Sequence, residues 1–292
     1  MSPPLDARRH AYRPDLAAAS LQDVVAAPRY VDGEQRQVVH SSTPLRAEPS
    51  ARSSWTTEVL FGEHVTVFEE KDGWAWVQLV RDGYVGYLRP GALSAQVKPT
   101  THVVRALGTF LYPAADVKAP PWLHLGMTCE VSVAEMGPVF TRLIDGSFVP
   151  ARHIAGVGLY ARDFVGVAER FMGTPYLWGG KTRLGLDCSG LVQVALHASG
   201  VDCPRDSDMQ QAELGSPTDM REDLEGLQRG DLVFWKGHVG IMMDAFLLLH
   251  ANAHHMGVAI EPLRAAVDRN LRVGQLVTAI KRLPAKIGVT PR

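Results

Sequence analysis

From residue 36 to residue 157 the chain runs in short alternating apolar and polar stretches, Val65 to Phe68, Ala75 to Leu79 and Tyr84 to Leu88, cut by Asp72-Gly73 and Asp82-Gly83. A period of two buries one face of a strand, and Asp-Gly between two such runs marks a tight turn. This is the texture of a small antiparallel β barrel. It recurs about 63 residues further on, where Leu123-His124-Leu125-Gly126 answers to Leu60-Phe61-Gly62 and Asp145-Gly146-Ser147-Phe148 to Asp82-Gly83-Tyr84-Val85. Two successive barrels, 36–97 and 98–157, are therefore expected. Residues 1–35 show no sustained period and are expected to form an irregular arm, with Asp15 to Ala26 as a possible short helix.

After Ile154 the pattern changes. Phe164, Val167, Ala168 and Phe171 fall at i, i+3, i+4 and i+7 and predict a helix over 163–171. A Gly-rich loop over 173–185 leads to a second helix from Cys188 to Ala198. Runs at 231–235, 239–243 and 246–250 read as successive strands of an antiparallel sheet. Residues 158–292 thus form a domain of helices against a sheet, and the whole chain is α+β.

A chain of 292 residues with 46% hydrophobic and 21% charged residues and a formal charge of -1 is composed like an ordinary globular protein. Nothing basic enough for nucleic acid stands out. Apolar runs such as Phe246 to Leu249 are strand-sized, so no membrane span is expected. Leu16 to Ala19, behind Arg8, Arg9 and Arg13, is too short for a secretion signal core, and Cys129, Cys188 and Cys203 match neither a disulfide framework nor a paired zinc motif. A cytoplasmic location is the expectation.

A thiol becomes a nucleophile when its surroundings favour the thiolate, through a helix N-terminus or a nearby imidazolium. Cys188 stands at the mouth of its predicted helix, after Gly185-Leu186-Asp187, and the small Ser189 and Gly190 leave room for a substrate backbone. Cys129, among Met127 to Val133, and Cys203, before Pro204, read as inert. His238 opens one strand and His250 closes the next, twelve residues later. Because twelve is even, a hairpin centred on Asp244 with a loop of three or five residues puts both rings opposite one another on one face. A nucleophile, a base and a group orienting the base follow from this: Cys188, His238 and His250. His250 and His254 have zinc-like spacing, but no carboxylate motif accompanies them, so neither metal nor cofactor is expected.

Six blocks carry a resemblance: Pro175-Tyr176-Leu177-Trp178-Gly179-Gly180, Leu186-Asp187-Cys188-Ser189-Gly190-Leu191-Val192-Gln193, Pro204-Arg205-Asp206-Ser207, Gly230-Asp231-Leu232-Val233-Phe234, His238-Val239-Gly240-Ile241 and His250-Ala251. In this order the run resembles the NlpC-type, papain-like family of bacterial cell-wall cysteine peptidases. The resemblance implies a papain-like catalytic domain and a γ-D-glutamyl-L-diamino acid endopeptidase acting on peptidoglycan stem peptides. It gives Cys188, His238 and His250 their roles and makes the Tyr176 hydroxyl an oxyanion donor beside the Cys188 amide. The barrels ahead resemble the SH3-like modules of the members that recycle stem peptides with a free N-terminal L-Ala. In that subgroup Asp187 binds the substrate amine, as a buried carboxylate awaiting a cation, with Glu63 and Tyr84 as an amine-facing pair. Asp206, Ser207, Ser189 and Trp178 are implied as further substrate contacts. Two other readings stay open: a wall hydrolase or amidase acting on intact peptidoglycan, and a non-catalytic binder of peptide or wall.

Overall fold

The structure, a computed structural model, describes residues 5–218 and 225–284. Its contacts divide the chain into two compact units, Met1–Val157 and Gly158–Arg292.

The N-terminal segment of the first unit is not irregular. Leu16–Ala18 is a strand, antiparallel to Tyr12–Arg13 and parallel to Tyr30–Val31, and the expected helix over 15–26 is reduced to a 3-10 turn at Ala19–Leu21. The cause is burial. Leu16 and Ala18 enter one apolar cluster with Ala11 and Trp76, and strand geometry presents residues two apart to the same face. Arg13 stacks over the Trp76 ring, 4.6 Å from its centroid.

Seven strands follow in one sheet, in the order Leu93–Ser94, Glu34–Val38, His64–Lys71, Trp74–Leu79, Val85–Leu88, Ser42–Arg46, Trp55–Leu60. The alternation read from the sequence is the strand pattern here, and Asp72-Gly73 joins Lys71 to Trp74 with positive φ at both turn residues. Beyond it, Val104, Leu111, Leu125, Cys129, Val131, Leu143, Val149 and Ile154 share a core fed by three smaller sheets. Cys129 is wholly buried there. The two Asp-Gly turns of the sequence repeat match in detail: the Asp82 carboxylate accepts from the Tyr84 amide at 3.1 Å, and that of Asp145 from the Ser147 amide at 3.0 Å.

Among the described residues, the second unit packs four helices with a six-stranded antiparallel sheet, ordered Ser216–Pro217, Val277–Arg282, Leu232–Trp235, His238–Met242, Leu247–Asn252, Gly257–Pro262. Helix α1 spans Phe164–Glu169 and α2 spans Cys188–Ala198; α3, Ser207–Glu213, and α4, Leu263–Leu271, were not anticipated. Helix α2 lies against the strands His238–Met242 and Leu247–Asn252, which brings its first residue to the histidine-bearing part of the sheet. No helix among the described residues is long and apolar enough to cross a membrane.

Candidate active site

Asp187 caps α2, its Oδ1 accepting from the Gly190 amide at 2.7 Å, so that Cys188 is the first helical residue. Only glycine fits at 190: a Cβ there would meet the Gly180 carbonyl oxygen at 2.3 Å. The backbone N–H of Cys188 belongs to the first turn, whose amides have no acceptor within the helix. Cys188 is only 7% exposed, its Sγ lying 4.0 Å from the Gly237 carbonyl oxygen. Burial pushes its thiol up to about 12, and the charge of Asp187 reinforces this. Burial thus opposes the helix terminus, which favours the thiolate.

Asp187 is not a carboxylate awaiting a cation. Arg205, 1% exposed, holds it with Nη1 to Oδ1 at 3.0 Å and Nη2 to Oδ2 at 2.6 Å, while the Gly179 amide donates to Oδ2 at 2.8 Å. Ser189 joins the same cluster, accepting from Arg205 at 2.7 Å and facing Asp187 at 3.3 Å. Arg205 lies within the Pro204-Arg205-Asp206-Ser207 motif, which by itself signals no partner for Asp187. Asp206 and Ser207 lie at the start of α3, both half-buried.

The hairpin carrying the two histidines has the three-residue loop Asp244–Phe246, closed by the Met243 amide on the Leu247 carbonyl at 2.8 Å. Its centre is Ala245, one residue beyond the expected Asp244, because the Asp244 carboxylate accepts from the amides of Phe246 and Leu247 and so begins the turn. Ile241 pairs with Leu249 and Met242 with Leu248. Continued, this register sets His250 against Gly240, so the histidines share a face as diagonal rather than direct neighbours. The diagonal contact is close: His238 Nε2 lies 2.9 Å from His250 Nδ1.

Behind His250 stands a residue that the sequence reading missed. Glu261, in the strand Gly257–Pro262, places Oε1 2.8 Å from His250 Nε2, and Arg269 in the last turn of α4 donates to both carboxylate oxygens, Nη1 to Oε2 at 2.7 Å. The signal lay in His254-His255: the four-residue turn 253–256 there pairs His250 with Ala259 and brings Glu261 alongside. His250, His255 and Glu261 offer ligand atoms within 4.8 Å of one another, so the carboxylate thought lacking from the histidine cluster exists. The Arg269 guanidinium already holds it.

Burial lowers His238 to about 3, with the His250 charge adding to the effect, and lowers His250 to about 4 against its bond to Glu261. Burial pulls Glu261 upward, but Arg269 and His250 outweigh it and the carboxyl falls to about 2. The resting site is therefore a neutral thiol and two neutral imidazoles backed by an ionised carboxylate. Tyr176 keeps its hydroxyl proton, since burial and then the neighbouring Cys188 and Asp187 raise it. Trp178 is 64% exposed. In the first unit, Glu63 is buried and accepts from the Leu60 amide at 2.8 Å, and Tyr84 is buried as well.

Residues 173–274 match the NlpC/P60 family, and residues 45–93 match a bacterial dipeptidyl-peptidase Sh3 domain. A dipeptidyl-peptidase 6 from Lysinibacillus sphaericus is 25% identical over 246 residues, covering 74% of this chain and 86% of the relative. A gamma-D-glutamyl-L-lysine dipeptidyl-peptidase from Bacillus subtilis is 30% identical over 223 residues, 67% of this chain and 71% of the relative. Among solved structures, an NlpC/P60 family protein from Bacillus cereus superposes with a TM-score of 0.72 over 86% of this chain and 100% of that one, at 20% identity, a likeness of fold. With Cys188 at a helix start, two facing histidines and these relatives, the chain belongs to the NlpC/P60 family of cysteine peptidases.

Proposed function

We propose that this peptidase cleaves the γ-D-glutamyl-L-diamino acid bond of peptidoglycan stem peptides that carry a free N-terminal L-Ala, with Cys188 as nucleophile and His238 as base. The observation that carries the reading is the 2.9 Å contact between His238 and His250 in the sheet against which α2 and its Cys188 pack. The Bacillus subtilis relative's name supplies the γ-D-glutamyl-L-lysine bond, and both names describe release of a dipeptide.

In this reading Cys188 Sγ attacks the γ-carbonyl carbon as its proton passes to His238. The oxyanion is met by the Cys188 amide and the Tyr176 hydroxyl, and donors so placed contribute about 3 kcal/mol each to the transition state. His238 returns the proton to the departing amine, which leaves a thioester. Water then loses a proton to His238, attacks the thioester, and Cys188 leaves as the thiol. His250 orients the base. Ser189 and Asp187, tied to Arg205, shape the pocket wall, and Asp206, Ser207 and Trp178 are assigned to substrate contact. Glu63 and Tyr84 are assigned to the recognition of the amine.

The finer architecture belongs to the same proposal: two SH3-like barrels, supported by the matching Asp82-Gly83 and Asp145-Gly146 turns. Three free cysteines support work in a reducing cytoplasm on recycled peptides. The deciding experiment compares L-Ala-γ-D-Glu-diamino acid tripeptide with its N-acetylated form, products being read by mass. The free amine is expected to be cleaved on the order of a hundredfold faster, because acetylation removes the ammonium that Glu63 and Tyr84 are assigned to recognise. Equal cleavage of both, or efficient cleavage of intact wall, rejects the free-amine reading in favour of a wall hydrolase.

A further inference from the structure

We propose that Glu261, held by Arg269, fixes the tautomers of both active-site histidines and thereby leaves Nδ1 of His238 as the lone pair that takes the Cys188 proton. The proposal rests on the cysteine-peptidase reading and deepens it: Glu261 is a positioning residue acting through His250.

Each step follows from the single N–H of a neutral imidazole. Glu261 is an ionised carboxylate with both oxygens on the Arg269 guanidinium, so toward His250 it can only accept. His250 Nε2, 2.8 Å from Oε1, must carry the ring's proton. Its Nδ1 is then a lone pair. His238 Nε2, 2.9 Å from that lone pair, must donate, and the remaining nitrogen of His238 is the acceptor. Reversing the direction would set the His250 lone pair against a carboxylate oxygen at 2.8 Å, two acceptors in contact within a buried site. Burial keeps both rings neutral at neutral pH, so each carries a single N–H.

The other group facing His250 does not compete. His255, its ring centroid 6.5 Å away, has its Nδ1 on the Asn252 side-chain oxygen at 3.0 Å. Arg269 offsets the charge of Glu261, so the carboxylate directs the line without drawing the proton to itself. A second orienting group is needed because a histidine in the third position can point either way. A histidine has a donor and an acceptor nitrogen, and alone it does not choose which one meets the base.

The test is long-range 1H–15N correlation of the histidine rings near neutral pH, on the wild type and on Cys188→Ala. His238 and His250 are both expected with Nε2 protonated and Nδ1 bare. A His250 proton on Nδ1 overturns the proposal. Glu261→Gln, whose amide can donate as well as accept, should admit the other tautomer and lower kcat about ten- to hundredfold with KM nearly unchanged. Wild-type kcat in that variant also overturns the proposal. If Glu261→Gln does not fold, the wild-type and Cys188→Ala spectra still decide. Turnover by Cys188→Ala would instead reject the peptidase reading, and the ring spectra would be judged separately.

Discussion

Two opposite forces act on Cys188: the α2 terminus and its amides favour the thiolate, while removal from water and the neighbouring Asp187 favour the thiol. Burial wins, and the thiol stands at about 12. With His238 lowered to about 3, no resting imidazolium is available to stabilise a thiolate either. In the proposed reaction the proton therefore moves as the bond forms. Iodoacetamide should label Cys188 ahead of Cys129 and Cys203, which lie in closed cores at 0% and 3% exposure. The rate should nevertheless be slower than for a free cysteine of pKa about 8.5 at neutral pH, and should keep climbing well past that pH. Mass spectrometry of the alkylated peptides over a pH series checks this. A rate that plateaus below neutrality would mean a resting ion pair and would reject the neutral site.

At the scale of elements, the start of α2 and the approach to α3 are tied by one buried ion pair, Asp187 with Arg205, whose side chains are 8% and 1% exposed. A buried pair contributes little net stability, but removing one partner strands the other charge. Arg205→Met should therefore destabilise the fold by about 3–5 kcal/mol, measured by urea unfolding, and Asp187→Asn combined with it should recover part of that loss. No loss in the single variant would mean that Asp187 is adequately served by its backbone donors. Helix α2 was legible because apolar Leu191, Val192, Val194, Ala195 and Leu196 recur within 188–198. The faces of the two histidines were legible because parity survives a hairpin centre misplaced by one residue, from Ala245 to Asp244. What escaped notice depends on distant pairing. Leu16–Ala18 is a strand because Trp76 is its neighbour, and Glu261 joins the site only through the register of a later hairpin. Asp187 was recognised as buried, but its cation lies 18 residues further along in a segment with no periodic signal.

On the scale of the whole molecule, the units Met1–Val157 and Gly158–Arg292 hold separate cores: the clusters around Trp76 and Cys129 lie in the first, and the cluster around Trp235 and Leu248 in the second. Separate cores can melt separately. Two calorimetric transitions are expected, and Arg205→Met identifies that of the second unit by lowering it alone. Acid should separate them further. His238 and His250 are held below their ordinary 6.5 when folded, at about 3 and about 4, so the unfolded second unit binds up to two more protons at these rings as pH falls below 6.5. Where the unfolded state binds more protons, stability rises with pH, and so it is lost on acidification across that window. In the first unit burial lowers His102 in the same direction. Between neutrality and the start of carboxylate titration, the transition lowered by Arg205→Met should thus fall faster than the other. One transition moving as a whole under both the substitution and the pH change would show that the two cores unfold as one.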